Sequence, residues 1–349
     1  MSLKKSINWL HRWLGLALSL WLFLISLTGT LLLFKNDLLQ LTYPELKPAV
    51  ISNSYELPGD LSHAQYTLLP NQVRHWVEVV DTDQTRHYYS ASGEKVLVRA
   101  ALSDWIDVMV EFHHHLLLNQ LGKQLQGIFG IGALSLLLSG LYKWWPKRRL
   151  RNKDFQITWA KPGNKNFGQT LWQSHRTFGV ILFIPMLIVT ATGTAMIYSS
   201  EVKSALIFLF PYTNEEQSSN QNANPALNDS NYSSWSARLA QVNQVFDSAQ
   251  PSVIYHQANK IRLKQLAEWH PNGRSYIEYN SDGNTIKQMT NYHKLTLGEQ
   301  ISHTVYPLHI ASVGGTVYLT LIMISGVVLL WLSISGAWFW WWKRQLKKR

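Results

Sequence analysis

Residues 11–29 read HRWLGLALSLWLFLISLTG, and residues 175–193 read HRTFGVILFIPMLIVTATG. Each is His-Arg-x-x-Gly, an apolar run and a closing Thr-Gly, and the interval from histidine to last glycine is the same in both. An apolar run of this length reads as a membrane helix. A membrane helix does not need a histidine at its mouth, so the repetition asks for a chemical reason as well as a structural one.

The 349 residues include 32 Lys and Arg against 21 Asp and Glu, for a formal charge of +11, with 16 Trp, 15 Tyr and no Cys. Apolar residues are clumped, and four clumps reach the ~20 residues that a span requires: 14–34, 125–145, 178–198 and 316–342. The first follows lysines but is long and lacks a small-residue cleavage site, so it reads as a retained span. Without cysteine there is no thiolate-held iron–sulfur cluster, no disulfide and no thioether-attached haem. Any haem must be held by histidine or methionine. The basic residues crowd at Lys4, Lys5 and Arg12, at 143–153 (KWWPKRRLRNK) and at 343–349 (KRQLKKR). These are the short flanks and the one short loop, a positive-inside pattern whose partner is a lipid bilayer and not nucleic acid. Both termini are expected in the cytoplasm and the two long connections on the other side.

The repeat extends beyond the opening stretches. Ser139-Gly140 matches Ser335-Gly336, Lys147-Arg148 matches Lys343-Arg344, and the same offset sets His113 (EFHHHLLL) opposite His309 (YPLHIASV). The expected fold is an α-helical membrane protein with four transmembrane helices in two parallel repeats about a pseudo-twofold axis, plus two small external α+β domains. The expected order is a first transmembrane helix (1–38), an external domain (39–105), a second transmembrane helix with an external extension (106–150) and a cytoplasmic loop (151–170). A third transmembrane helix (171–204), a second external domain (205–300) and a fourth transmembrane helix with a basic tail (301–349) complete it. The external segments carry β-rich runs bending at Ser92-Gly93 and Asp282-Gly283, a helical stretch over 235–249, and an Asn/Ser-rich linker over 217–234.

Residues 18 apart on a helix return to the same face, so His11 shares a stripe with Gly29, and His175 with Gly193; Gly15 and Gly179 lie about 40° away. A ligand beside missing side chains suits a flat macrocycle, although glycine also serves plain helix packing. Haem iron accepts two axial ligands, which a symmetric pair of histidines can supply. His11 and His175 share one depth, and His113 and His309 lie at or beyond the opposite boundary. Two levels imply two haems, the layout of a transmembrane electron wire, with Arg12 and Arg176 placed to pair with propionates. The levels are separated by most of a ~30 Å hydrocarbon layer. The wire therefore needs the haem planes to extend toward each other or an aromatic such as Trp21 to bridge. The histidines of the external segments read as ordinary polar residues, with a zinc site drawn from them as the alternative although no tight metal-ligand spacing occurs.

The HRWLG…TGT and HRTFG…TGT spans, the EFHHHLLL…SGLYKWWPKR segment and the hairpin-bearing external units resemble PepSY-associated transmembrane proteins. These include inner-membrane ferric-siderophore reductases of Gram-negative bacteria. The resemblance implies PepSY-type domains facing the periplasm and two b-type haems (haem b) on His11, His113, His175 and His309. The family's second position usually reads His-Arg-x-Leu-Leu-Leu-Gly. Here it is HHHLLLNQLG, ending at Gly122, which leaves His114 and His115 open as ligands beside His113. The expected activity is reduction of a periplasmic ferric siderophore or other Fe(III) chelate with release of Fe(II). No nucleotide-binding signature is present, so the expected donor is a quinol or a cytoplasmic flavoprotein. The rivals are a non-enzymatic PepSY binding protein, a haem-containing quinol-linked electron-transfer subunit, and a transporter of haem or siderophore.

Overall fold

The computed structural model describes residues 2–47, 55–145, 151–212, 234–281 and 285–346. The linker expected at 217–234 (all but its last residue), the Asp282-Gly283 bend and the Lys147-Arg148 pair lie outside them. The chain divides into two compact units, one of Met1–Leu33, Met109–Tyr198 and Leu308–Arg349, the other of Phe34–Val108 and Ser199–Pro307. In chain order the helices are α1 (Leu3–Leu32), α2 (Lys35–Thr42), α3 (Trp105–His115), α4 (Asn119–Trp144), α5 (Phe167–Ile181) and α6 (Phe183–Ile197). They continue with α7 (Ser199–Leu209), α8 (Trp235–Ala240), α9 (Val242–Val245), α10 (Leu297–Ser302), α11 (Val305–His309) and α12 (Gly315–Leu346).

In the first unit α1, α4 and α12 are each long and apolar enough to cross a membrane, and α5 with α6 makes a fourth span bent by 72°. The third span, expected over 178–198 with a kink from Pro185, is thus broken at Leu182. Pro185 explains it: proline has no N–H for the carbonyl four residues back and its ring crowds that carbonyl. That residue is Ile181, the last of α5. Helices α1 and α5–α6 each pack against both α4 and α12, which closes the bundle. Two close approaches use small residues: the Thr30 hydroxyl fills the space a side chain on Gly326 would take, and Thr194 does the same at Gly130. Without a hydrophobic driving force between helices in lipid, such close backbone contact is a main source of association.

Two spans are preceded by short helices rather than by continuous extensions. Leu116, Leu117 and Asn119 have positive φ and separate α3 from α4, while Ala311, Gly314 and Gly315 do the same between α11 and α12. His113 therefore does not continue the α4 helix, as an unbroken extension over 106–150 would have it. Gly122 is needed at the first of these turns, since a Cβ there would overlap the His115 carbonyl.

The second unit is built on β1 (Ala64–Leu68), β2 (Val77–Asp81), β3 (Arg86–Tyr89), β4 (Lys95–Arg99), β5 (Gln250–Tyr255), β6 (Lys260–Lys264), β7 (Ser275–Tyr279) and β8 (Ile286–Thr290). They form one antiparallel sheet in the order β4-β3-β2-β1-β5-β6-β7-β8. The two β-rich segments, expected as separate domains, join edge to edge through β1 and β5, with Thr67 opposite Ile254. Pairing removes an exposed edge strand from each half. One cross-strand row reads Val98, His87, Val79, Thr67, Ile254, Ile261, Ile277 and Met289 from edge to edge. Its second half packs under Trp235, Leu239, Val242 and Phe246 of the segment read as helical over 235–249. The row on the opposite face reads Arg99, Arg86, Val80, Tyr66, Tyr255, Lys260, Glu278 and Gln288. That polar face explains why β1 and β6 escape a sequence reading: AQYTL and KIRLK lack the apolar weight of their neighbours.

His256 ties the halves at the seam. Its Nε2 lies 2.8 Å from the Thr67 hydroxyl and its ring meets Trp235 edge-on at 5.2 Å. Burial, with Arg238 adding, pushes its pKa down to about 4. Burial and neighbouring arginines depress His270 and His303 likewise. An unfolded histidine titrates near 6.5, so as pH falls the unfolded chain takes up protons first. Stability of the sheet unit is intact above pH 6.5 and drains away below it, down to about 4 for His256 and His303 and to about 2 for His270. Denaturant titrations of the purified chain at pH 7, 6, 5 and 4 are expected to show this decline, and His256→Asn to make it shallower; a flat profile would contradict it.

Candidate functional site

All four histidines singled out in the sequence belong to the helical unit, and they meet in two pairs. The rings of His11 (α1) and His175 (α5) have centroids 6.4 Å apart, and those of His113 (α3) and His309 (α11) 6.3 Å apart. An imidazole nitrogen lies about 1.1 Å from its ring centre and binds a first-row metal at ~2.0–2.1 Å, so two rings clamping one ion have centroids ~6.3 Å apart. Edge contacts between aromatic rings fall in the same range, so the spacing alone does not identify a ligand pair. The seating of each ring does.

Every one of the four rings rests on a hydroxyl residue followed by a glycine, on another helix of its own repeat. His11 Nδ1 lies 2.9 Å from Ser139 Oγ and His175 Nδ1 3.1 Å from Ser335 Oγ. His113 Nδ1 lies 3.0 Å from Thr28 Oγ1, and His309 Nδ1 lies 3.3 Å from Thr192 Oγ1 and 3.0 Å from the Val189 carbonyl. The hydroxyls spend their own protons on helix carbonyls, Ser139 on Leu136, Thr28 on Leu24, Thr192 on Ile188 and Ser335 on Leu332. They can therefore only accept from the imidazole, which puts the ring proton on Nδ1 and leaves the lone pair on Nε2. Among the described residues no hydrogen bond engages Nε2 of any of the four. A metal-binding histidine is held in this way, through the N–H that does not face the metal.

The glycine after each hydroxyl makes room for the ring edge. A Cβ on Gly29 would lie 2.8 Å from His113 Cε1, and one on Gly193 2.8 Å from His309 Cε1. On Gly140 and Gly336 the distances to His11 and His175 Cε1 are 3.2 and 3.3 Å. Each residue of the repeated Thr-Gly-Thr thus has its own task. Thr28 and Thr192 orient a ring, Gly29 and Gly193 admit it, and Thr30 and Thr194 pack on the glycine of the other repeat. Gly15 and Gly179 differ: a Cβ there would meet Leu136 at 3.5 Å and Leu332 at 3.7 Å, ordinary contact distances.

The two arginines are not equivalent. Arg12 is exposed with its guanidinium 5.1 Å from the Trp13 ring. Arg176 lies over Trp172 at 4.6 Å and donates to the Asp154 carbonyl at 2.6 Å, while its buried Nε–H has no acceptor. Lys143 of α4 lies within electrostatic reach of both His11 and His175 and is a further cation at this level. Between the levels, Trp21 stands about 15 Å from His11 and about 12 Å from Gly29 along α1. Its Nε1–H donates to Gln126 Oε1 at 2.6 Å, Gln126 donates to the His113 carbonyl at 2.7 Å, and Phe129 meets the indole edge-on at 5.4 Å. Of the HHH run, His113 is the member whose ring meets His309; His115 bonds Glu111 at 3.0 Å.

The match to known families is now decisive. The sequence profile of the PepSY-associated TM region covers residues 8–344. The chain belongs to the PepSY-associated transmembrane family. A search of curated proteins finds no match. Family membership accounts for the membrane-crossing helices, and the β-sheet unit is the extra domain they carry. The chain is a membrane protein with three to four spans among the described residues and a β-sheet unit.

The sequence reading picked out the histidines and two of the four cradling glycines, Gly29 and Gly193. It used Ser139-Gly140 and Ser335-Gly336 only as markers of the repeat. The available signal was that each hydroxyl-glycine pair recurs once per repeat, as each histidine does. Gly29→Ala and Gly193→Ala are expected to cost about 1–3 kcal/mol each through overpacking, whereas Gly15→Ala and Gly179→Ala should stay within about 0.5 kcal/mol. Unfolding of the detergent-purified variants measures the contrast, and equal effects at all four positions would refute it.

Proposed function

We propose that this family member is a di-haem reductase of the bacterial inner membrane. In this reading it carries electrons from a cytoplasmic-side donor to a ferric siderophore or other Fe(III) chelate in the periplasm. The observation that carries the reading is the seating of the four rings: two imidazoles per level at bis-ligand spacing, each with Nδ1–H tied down and Nε2 free. Among the described residues no group of three or more His, Cys, Asp or Glu side chains is arranged to hold a metal ion. A bare ion prefers three or four protein ligands. A pair of histidines suits an ion whose other positions come from a macrocycle, and with no cysteine in the chain that macrocycle is bound without thioether links, as haem b. Bound there, haem supplies one-electron transfer at each level.

The protein's own residues do the rest. His11 with His175 and His113 with His309 would hold the two haem irons. Ser139, Ser335, Thr28 and Thr192 fix ring orientation, and their hydrogen bonds tune ligand basicity. Arg12, Arg176 and Lys143 offer positive charge to propionates at the level of the basic flanks, which the positive-inside rule assigns to the cytoplasm. Trp21 and Phe129 occupy the interval between the levels. The two repeats are related by a pseudo-twofold axis along the membrane normal, and the sheet unit is the pair of PepSY-like domains on the periplasmic side. Fe(III) held by hard oxygen ligands is released once reduced, because Fe(II) is bound far more weakly by the same donors. A quinol or a cytoplasmic flavoprotein is the donor, since no dinucleotide signature occurs in the chain.

Visible spectra of the detergent-purified protein, oxidised and dithionite-reduced, test this. Sharp low-spin bands from about two haems per chain are expected, with roughly half lost in His175→Ala and in His309→Ala. Adding a ferric siderophore to the reduced protein should restore the oxidised spectrum. A colourless protein, or haem retained in full by both variants, would end the proposal.

A further inference from the structure

The polar face of the sheet carries more positive charge than its acids balance. Arg99 is spent on Asp104 and Asp107, and Lys260 lies 3.7 Å from Glu278. Glu78 is taken by Arg86 at 2.6 Å. Four more cations gather around this pair and the Arg262 row: Lys35 of α2, Arg74 of the loop before β2, Arg262 of β6, and Arg274 at the entry to β7. Among the described residues none of these four forms an ion pair. Arg262 donates to the Gly273 carbonyl and faces His270, and Arg74 donates to the Leu69 carbonyl. The Nε–H groups of Arg74 and Arg274 are buried without an acceptor.

These charges converge. Arg74, Arg262 and Arg274 all lie within electrostatic reach of the Tyr306 hydroxyl, and Tyr306 stacks on His270 at 4.9 Å. Tyr306 belongs to α11, three residues before His309. Lys35, Arg74, Arg274 and Tyr306 are nonetheless each only partly buried. Burial holds the Lys35 ammonium below its ordinary value, an effect that Glu78 offsets in part and Arg86 increases. Burial depresses Arg74 likewise, with Glu78 opposing. Desolvated cations without counter-ions cost free energy that an arriving anion returns. Guanidinium forks also match carboxylate and catecholate oxygens in pairs.

We propose that this face is an anion site that takes the carboxylate or catecholate oxygens of a negatively charged Fe(III) chelate. The substrate class is then the anionic chelates, ahead of neutral or cationic ones. The assignment rests on the reductase reading for the word substrate, but binding itself does not depend on electron transfer.

The test uses full-length, haem-loaded, oxidised protein in nanodiscs, with ferric citrate as the anionic probe and a neutral ferric tris-hydroxamate as control, binding being followed by tryptophan fluorescence. Arg74→Gln combined with Arg274→Gln is expected to weaken ferric citrate binding at least tenfold and to leave the hydroxamate unchanged. Lys35→Gln should weaken citrate binding several-fold, and Arg274→Lys should retain most of it. If the double variant fails to fold, the Lys35→Gln comparison decides. Unchanged citrate affinity, or equal loss for both chelates, overturns the proposal. So does loss of haem from the variants with citrate binding intact, which would assign the cations to a haem propionate. Citrate that binds but never reoxidises the reduced haems would refute the reductase reading and leave the anion site standing. Reoxidation by the hydroxamate alone would do the reverse.

Discussion

An imidazole whose Nδ1–H is held by a hydroxyl, with its Cε1 edge lying in the gap left by the next residue's missing side chain, is the unit on which this molecule is organised. It occurs four times, and each instance joins two helices of one repeat. A hydrogen bond of this kind is worth only about 1 kcal/mol net. Its importance lies in direction: a ring pinned at one nitrogen and wedged at one carbon has its other nitrogen aimed. Four such rings leave four aimed lone pairs, two at each end of a bundle otherwise lined by apolar residues.

The rest of the bundle serves that arrangement. Thr30 against Gly326 and Thr194 against Gly130 hold the repeats close enough for the rings of each pair to meet. The break at Leu182 lets one span change direction between His175 and Gly193, and the left-handed turns after His115 and before α12 let His113 and His309 sit on short helices outside the spans. Buried polar groups within membrane spans are costly and tend to be functional. Among the described residues they include Ser139, Gln126 and Ser335, which are partners of the histidines or of the link through Trp21, beside Ser26, Thr170, Ser174, Thr177, Thr194, Ser325 and Ser333.

The two faces of the sheet differ. One is apolar across β5 to β7; Ile254, Ile261, Leu263 and Ile277 are fully buried, each contributing roughly 1.5–3 kcal/mol of burial. The other holds tyrosines, arginines and lysines with few acids among them, and over β3 and β4 it also carries Tyr88 and Leu97, which pack with Leu39, Leu46, Trp76 and Ile106. A sheet that needed only to be stable would not concentrate unpaired cations on one side, and that imbalance is what makes the face a candidate for recognition.

The three to four membrane-crossing segments and the four histidines were legible in the sequence because each depends on local properties: runs of apolar residues, and residue types at a fixed interval. His11 and Gly29 could be placed on one stripe from helix geometry alone. What that geometry could not supply was the partner. Gly29 lies on the stripe of His11 but receives His113, and His11 rests on Gly140, a residue 129 positions away. The strands β1 and β6 were hidden because their polar side chains face the charged side of a sheet that exists only once both halves have paired. Likewise the excess of cations on that face is invisible in a chain whose basic residues seem accounted for by the membrane flanks. Sequence determined which helices cross the bilayer and which residue types lie at their ends. Tertiary packing alone decided which hydroxyl and glycine seat each ring, because that depends on contacts between residues 85 to 160 positions apart.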